Sequence, residues 1–319
     1  MAAGLLNAVF AIPMRYNQCW KWENTWLVFT LCSLAVLPCL LVLSFVHHAG
    51  QLFGSLVIRD LGPPILFGFL WGIAQSTFGL SIELLGVAAA IPVVSAIAII
   101  LGALVPVMAS RPGALLGHVG VVLSVSAGLL VGGLVLYSQA TRLRDSTGAK
   151  RSLKGLILAV VTGVTGGTIN IGFALSGKIM HRAELLGNGA AVSTYPVWAL
   201  LLAAGFIPNS LYCFYLLRRN ATWSCFTSAG SKADFLRSVL MAVAWISATA
   251  LYGVSITYMG KLGTTIGYLA YGSFTILFAN LLGWKTGEWT NAPPSALRSL
   301  WGATGLVLGG VGVLGLVSC

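Results

Sequence analysis

The chain has 319 residues, of which 57% are hydrophobic and 8% charged, and its mean hydropathy is +0.91. Soluble domains carry about 25% charged residues, so this composition excludes a soluble globular protein and a disordered one. The formal net charge of +11, from 18 Lys and Arg against 7 Asp and Glu, would suit a nucleic-acid binder. Here the basic residues fall in loops between apolar spans, where the positive-inside rule accounts for them.

A spanning helix needs about 20 apolar residues, and the pattern predicts ten helices in a single all-α membrane domain over 1–319. The first, about 2–16, is short and lacks the basic leader of a signal peptide; it reads as a helix running toward Tyr16 or as a truncated start. The rest lie near 24–47, 63–82, 85–108, 114–138, 153–175, 189–217, 235–257, 262–284 and 297–317. Very short turns at Gly86 and Gly260 join the third helix to the fourth and the eighth to the ninth. Six scattered cysteines, Cys19, Cys32, Cys39, Cys213, Cys225 and Cys319, form neither a disulfide framework nor a zinc spacing.

Loop charges orient the chain. Arg15, Lys21, Arg142, Arg144, Lys150, Arg151, Lys154, Arg218, Arg219, Lys232, Arg237, Lys285 and Arg298 fall on one side, thirteen in all. Five, Arg59, Arg111, Lys178, Arg182 and Lys261, fall on the other. The richer side is expected to be cytoplasmic, with both termini outside, in a multi-pass inner-membrane protein. The sequon Asn220-Ala221-Thr222 then lies in the cytoplasm.

An internal repeat is visible. Trp71, Phe78-Gly79, Ser81-Ile82 and Gly86 recur as Trp245, Tyr252-Gly253, Ser255-Ile256 and Gly260, every pair 174 positions apart. Gly117-x-x-Gly120 and Gly302-x-x-Gly305 match as well. The repeat predicts two halves, 1–140 and 152–319, of five helices each. An odd number makes them inverted, as in many secondary transporters with a site between the halves near the bilayer midplane. Small-xxx-small spacings at Gly68/Gly72, Gly128/Gly132, Gly163/Gly167 and Gly305/Gly309 mark packing seams.

The spans offer little reactive chemistry. All seven acids sit at helix ends or in loops, and no acid, base or metal cluster of a catalytic site is present. No Walker A motif follows Gly177-Lys178 or Gly260-Lys261. The chain is therefore read as no enzyme, with no cofactor, no metal and no nucleic-acid partner. What the spans hold is neutral polar and aromatic. Buried amides and hydroxyls need partners, and beside aromatic faces they suit a sugar. The predicted cavity is lined by helices one, three, six, eight and nine, with Asn7, Gln75, Asn170, Tyr252, Tyr268 and Tyr271 as substrate-binding residues. Gln75 and Asn170 would bond hydroxyls. Trp71 and Trp245 read equally as cavity residues or interfacial anchors.

Several motifs resemble one family. Pro13, Trp20-Lys21-Trp22-Glu23 and Trp26 resemble the signature of the L-rhamnose–proton symporter family, within the drug/metabolite transporter superfamily. Leu66-Phe67-Gly68-Phe69-Leu70-Trp71-Gly72-Ile73, Lys154-Gly155-Leu156-Ile157-Leu158-Ala159-Val160, Ser273-Phe274, Glu288-Trp289 and Asn291-Ala292 continue the likeness in order along the chain. The resemblance implies ten helices, external termini and proton-coupled uptake of a deoxyhexose. It also implies an acid early in the ninth helix, where this chain has Gly263-Thr264-Thr265. The candidates for proton coupling are Glu23 and Glu288, beside Trp22 and Trp289, whose indoles would raise a carboxyl pKa, and then His118. The expected partners are a sugar, protons and the lipid bilayer. The alternatives are a drug or metabolite exporter of the same superfamily and a sugar uniporter without proton coupling.

Overall fold

In the computed structural model, which describes residues 1–110, 112–145 and 152–315, the described residues are helical and contain no strand. Arg111, Lys150 and Arg151 of the charge count, Cys319 and the end of the tenth predicted helix lie outside them.

The N-terminal prediction needs correcting. Residues 2–16 form a short helix α1 (Ala2–Val9) and a 3-10 turn (Ile12–Tyr16). Eight residues rise about 12 Å, far less than the hydrocarbon core of about 30 Å. Pro13 stands at the start of the 3-10 turn, where its missing N–H costs nothing. Among the described residues, nine helices are long and apolar enough to cross a membrane.

The first of these, Trp22–Phe45, is α2 (Trp22–Thr30), a π turn (Leu31–Val36) and α3 (Leu37–Phe45). Pro38 cannot donate to the preceding turn, and the wider π turn absorbs the break. A short α4 (Ala49–Ser55), which no sequence signal announced, follows His48 at φ 56°. Next comes α5 (Ile58–Leu85), which starts five residues before the expected 63. The Pro63-Pro64 pair resembles a helix start, but the structure adds a turn ahead of it, fastened by an Asp60–Arg182 ion pair at 2.9 Å. Gly86, at φ 84°, turns the chain directly into α6 (Val87–Ser110). Then comes α7 (His118–Asp145).

The second half opens with a broken span, α8 (Leu153–Gly166), α9 (Thr168–Leu175) and α10 (Gly177–Leu185), which runs ten residues past its expected end. Ser152 caps it by accepting the Gly155 N–H at 3.1 Å. It is followed by α11 (Tyr195–Arg219), α12 (Ser231–Thr257), α13 (Gly263–Lys285) and α14 (Pro294–Gly315). Gly260, at φ 66°, lies in the short turn between α12 and α13. The Gly86 and Gly260 turns end helices of opposite direction, so they mark opposite ends of the bundle.

Small residues set the packing. α5 lies against α11, and a Cβ on Gly68 or Gly72 would strike the backbone of Leu201 or Gly205. Gly163 and Gly167 seat α8 and α9 against α6 in the same way. The other two expected seams shift. Gly128 and Gly305 have open space, while Gly132, Gly133 and Gly310 carry the close approach between α7 and α14. α8 and α9 pack on α5 and α6, and α1 packs on α12 and α13. Outward-facing Leu43, Ile157 and Leu211 are more than half exposed, as suits side chains in hydrocarbon.

Candidate functional site

The helices enclose a cavity of about 370 Å³, within the range of small-molecule sites, about 300–1,000 Å³. All six residues expected to bind substrate line it: Asn7, Gln75, Asn170, Tyr252, Tyr268 and Tyr271. They come from α1, α5, α9, α12 and α13, the five regions foreseen. The sequence reading missed two further walls. α6 contributes Val94, Ser95 and Ala98, and α11 contributes Trp198. A signal for the first existed, because Val94 stands 174 positions before Tyr268. Trp198 had none.

Trp71 and Trp245 are cavity residues rather than interfacial anchors. Their rings stack at 5.8 Å with 19° between planes, and both line the cavity. Tyr252 lies 5.2 Å from Tyr271 and 5.9 Å from Trp198, so aromatic faces form much of the wall.

The polar groups divide into two sets. Asn170 is fully buried and already satisfied: its Nδ2 donates to the Gly102 carbonyl at 2.7 Å and the Thr264 carbonyl at 3.1 Å, and its Oδ1 accepts from the Tyr252 hydroxyl. Asn7 donates to Thr275 Oγ1 at 3.3 Å. By contrast, the Gln75 amide, the Ser95 hydroxyl and the hydroxyls of Tyr268 and Tyr271 have no hydrogen-bond partner among the described residues. An amide left without a partner costs on the order of 1–3 kcal/mol. These groups are thus supplied with partners by whatever fills the cavity, water or solute.

No lining residue is a carboxylate or a histidine. The three coupling candidates stand elsewhere. Glu23 is buried in the first turn of α2 and accepts from Thr222 Oγ1 at 2.8 Å and Asn220 Nδ2 at 3.0 Å, so neutral donors hold it, and both polar side chains of the sequon are spent on it. Glu288 pairs with Arg15 at 2.7 Å and Arg144 at 3.8 Å. Arg144 in turn lies 4.7 Å over the Trp289 ring. Guanidiniums, rather than an indole pocket, surround this carboxylate. His118 is exposed at the start of α7.

Residues 2–317 match the family described as L-rhamnose-proton symport protein (RhaT). The chain belongs to that family. Curated relatives include the L-rhamnose-proton symporters of Yersinia pestis (strain Pestoides F) and Yersinia pseudotuberculosis (strain YPIII). Each is 28% identical over 304 residues, covering 88% of this chain and 86% of the relative. Membership makes this chain a multi-pass membrane protein of a symporter family, and its relatives are named as transporters rather than enzymes.

Proposed function

We propose that the chain is a secondary sugar transporter that takes a deoxyhexose such as L-rhamnose into the cavity between two inverted halves, 1–140 and 152–319. The observation that carries this reading is the set of unpartnered neutral donors, Gln75, Ser95, Tyr268 and Tyr271, facing a cavity walled by Trp71 and Trp245. Hydroxyls of a sugar satisfy such donors, and its C–H faces lie on the rings. Charged solutes find no counter-ion there.

Paired positions support the two-halves reading. Trp71 and Trp245, 174 apart, stack on each other, as residues beside a pseudo-twofold axis do. Gln75 and Thr249, Phe78 and Tyr252, and Val94 and Tyr268 share that spacing, and all six line the cavity. Gly4-x-x-Asn7 on α1 is echoed by Gly167-x-x-Asn170. A Cβ on Gly4 would strike Phe274 and Thr275 of α13, and one on Gly167 would strike Ala98 and Gly102 of α6. Such halves alternate access by rocking around a shared site near the midplane. The basic-rich end, holding Arg15, Arg144 and Arg237, faces the cytoplasm in this reading, and the membrane is the inner one.

Proton coupling requires a group whose proton affinity differs between the two facing states. With no carboxylate or histidine among the lining residues, the coupling group in this reading stands outside the cavity, and Glu288 is the best placed. It joins the segment after α1 to the end of α7, so its protonation frees two elements at once. The same lining supports a second reading, uniport.

Counterflow of labelled L-rhamnose in proteoliposomes, followed by accumulation under an imposed pH gradient, tests both. Rapid counterflow with gradient-driven accumulation in wild type, lost in Glu288→Gln while counterflow persists, is expected. Absence of counterflow across labelled deoxyhexoses would remove the sugar reading. Counterflow without accumulation in wild type makes the protein a uniporter. Accumulation that survives in Glu23→Gln, Glu288→Gln and the double variant clears both acids of a coupling role.

A further inference from the structure

The two ends of the cavity carry different hydrogen-bond networks. At the Gly260 end, hydrogen bonds tie four helices together. Asn170 on α9 donates to the Gly102 carbonyl of α6 and the Thr264 carbonyl of α13. The Tyr252 hydroxyl of α12 donates to Asn170 Oδ1 and approaches the Thr264 carbonyl at 3.3 Å. Thr265 Oγ1 donates to the Ala103 carbonyl of α6 at 3.0 Å. Two of these bonds, Asn170 to Gly102 and Thr265 to Ala103, run between the two halves. At the Gly86 end the positions 174 residues away are Phe78 for Tyr252, Ala90 for Thr264 and Ile91 for Thr265. None carries a polar side-chain atom; the polar contacts at that end lie instead between Thr77 and Ser81 of α5 and Thr162 of α8, at 2.8 and 3.2 Å, and they too join the two halves. The counterpart amide, Asn7, reaches only Thr275 Oγ1 at 3.3 Å, on a helix of the opposite half.

We propose that the Asn170–Tyr252–Thr265 cluster is a releasable latch across the Gly260 mouth of the cavity, built on backbone carbonyls, where the Gly86 end has only a hydroxyl cluster. The proposal rests on the transporter reading above. Closing the Gly260 mouth brings together donors and acceptors whose geometry the closed state alone satisfies, so the latch biases the molecule toward that state. A transition to the other facing state breaks these bonds and rehydrates Asn170 and the Gly102 and Thr264 carbonyls. Conformational preference is thus set by differential contacts between two states. The same bonds hold the ring of Tyr252 against Tyr271 and Trp198, so the latch also fixes one wall of the cavity.

The test is accessibility, which does not depend on substrate. Ser95→Cys, nearly isosteric and inside the cavity, is introduced after replacement of the six native cysteines. A membrane-impermeant thiol reagent is then applied separately to right-side-out and inside-out vesicles. From the face bearing Gly260 the parent is expected to label slowly. Tyr252→Phe, which keeps the ring and removes the hydroxyl, is expected to raise that rate about tenfold, the worth of one or two lost hydrogen bonds. Thr265→Val, which keeps the shape and removes the bond to Ala103, is expected to act in the same direction. Phe78→Tyr, which supplies a hydroxyl at the opposite mouth, is expected to slow labelling from the Gly86 face. Unchanged labelling from the Gly260 face in folded Tyr252→Phe and Thr265→Val would overturn the latch. Counterflow of L-rhamnose in the same vesicles judges the transporter reading independently: its absence in the parent sinks that reading, while the labelling rates still decide the latch.

Discussion

The α5–α6 unit and the α12–α13 unit share a frame and differ in chemistry. Each begins with a buried aspartate, Asp60 or Asp234, places a tryptophan at the cavity and reverses through a positive-φ glycine. Yet Asp60 holds one arginine, while Asp234 holds a backbone segment; Gly79 is free, while Gly253 is pressed; Gln75 is unpartnered, while Thr249 is bonded to its own helix. The comparison teaches that a repeat fixes where side chains stand, and substitution within it decides which positions fasten, which pack and which are left for a solute.

The largest difference is expected at the two aspartates. Asp234 is fully buried and accepts the backbone N–H groups of Gln18, Cys19 and Trp20 at 2.8–3.2 Å, together with Arg237 at 2.6 Å. It anchors the chain after α1 to the start of α12. Asp234→Ala leaves those donors without an acceptor, and breaking such a buried charged cluster costs about 3–5 kcal/mol. Asp60→Ala removes one partner from Arg182, a third of whose side chain is exposed and can be solvated. Its cost is about 1 kcal/mol. Thermal unfolding in detergent, followed by tryptophan fluorescence, checks both; equal losses would show that the two ends are fastened alike.

Next come the paired glycines. A Cβ on Gly253 would collide with Trp198 Nε1 and meet Thr194 Oγ1 at 3.1 Å. Trp198 cannot readily yield, because it is buried and stacked 4.5 Å from Phe173. Gly253→Ala is expected to cost about 1–3 kcal/mol through overpacking. Gly79 has nothing within 4 Å of its virtual Cβ, and Gly→Ala within a helix favours folding by about 1 kcal/mol. Gly79→Ala is therefore expected to leave the unfolding temperature unchanged or raised. A Gly79→Ala variant as unstable as Gly253→Ala would contradict the asymmetric packing.

Much of this was legible in the sequence because apolar length and the fixed spacing of the repeat are strong, local signals. They located nine of the spans and the Gly86 and Gly260 turns, and the neutral polar and aromatic groups inside the spans led to six of the residues that line the cavity. The first predicted helix failed because apolarity near Met1 to Met14 says nothing about where a helix breaks, and the chain breaks at Phe10. The state of Asn170 was illegible for a different reason. Its partners are carbonyls of Gly102 and Thr264, and backbone acceptors have no residue identity to read. The partners of Glu288 were illegible likewise, since Arg15 and Arg144 are distant in sequence. Neighbouring Trp289 was visible, but it is Arg144 that lies over its ring.

The finest contrast is between the two repeat-related polar residues in the cavity wall, Gln75 and Thr249. Thr249 Oγ1 donates to the Trp245 carbonyl one turn back, at 3.1 Å, so its donor is already spent. Gln75 has two amide donors and an acceptor with no partner among the described residues, beside the stacked Trp71–Trp245 pair. If a sugar occupies the cavity, its hydroxyls gain from Gln75 and little from Thr249. Gln75→Ala is expected to weaken L-rhamnose binding by about 1–3 kcal/mol, since the sugar hydroxyl is then buried without its partner. That is a rise in Kd of roughly 5- to 150-fold. Thr249→Ala is expected to change Kd by less than about threefold. Isothermal titration on purified protein, with expression and unfolding temperature matched to wild type, checks the pair. Equal Kd values in the two variants would mean that the free amide of Gln75 faces water in the bound state as well as in the empty one, and would move the binding groups to Ser95, Tyr268 and Tyr271.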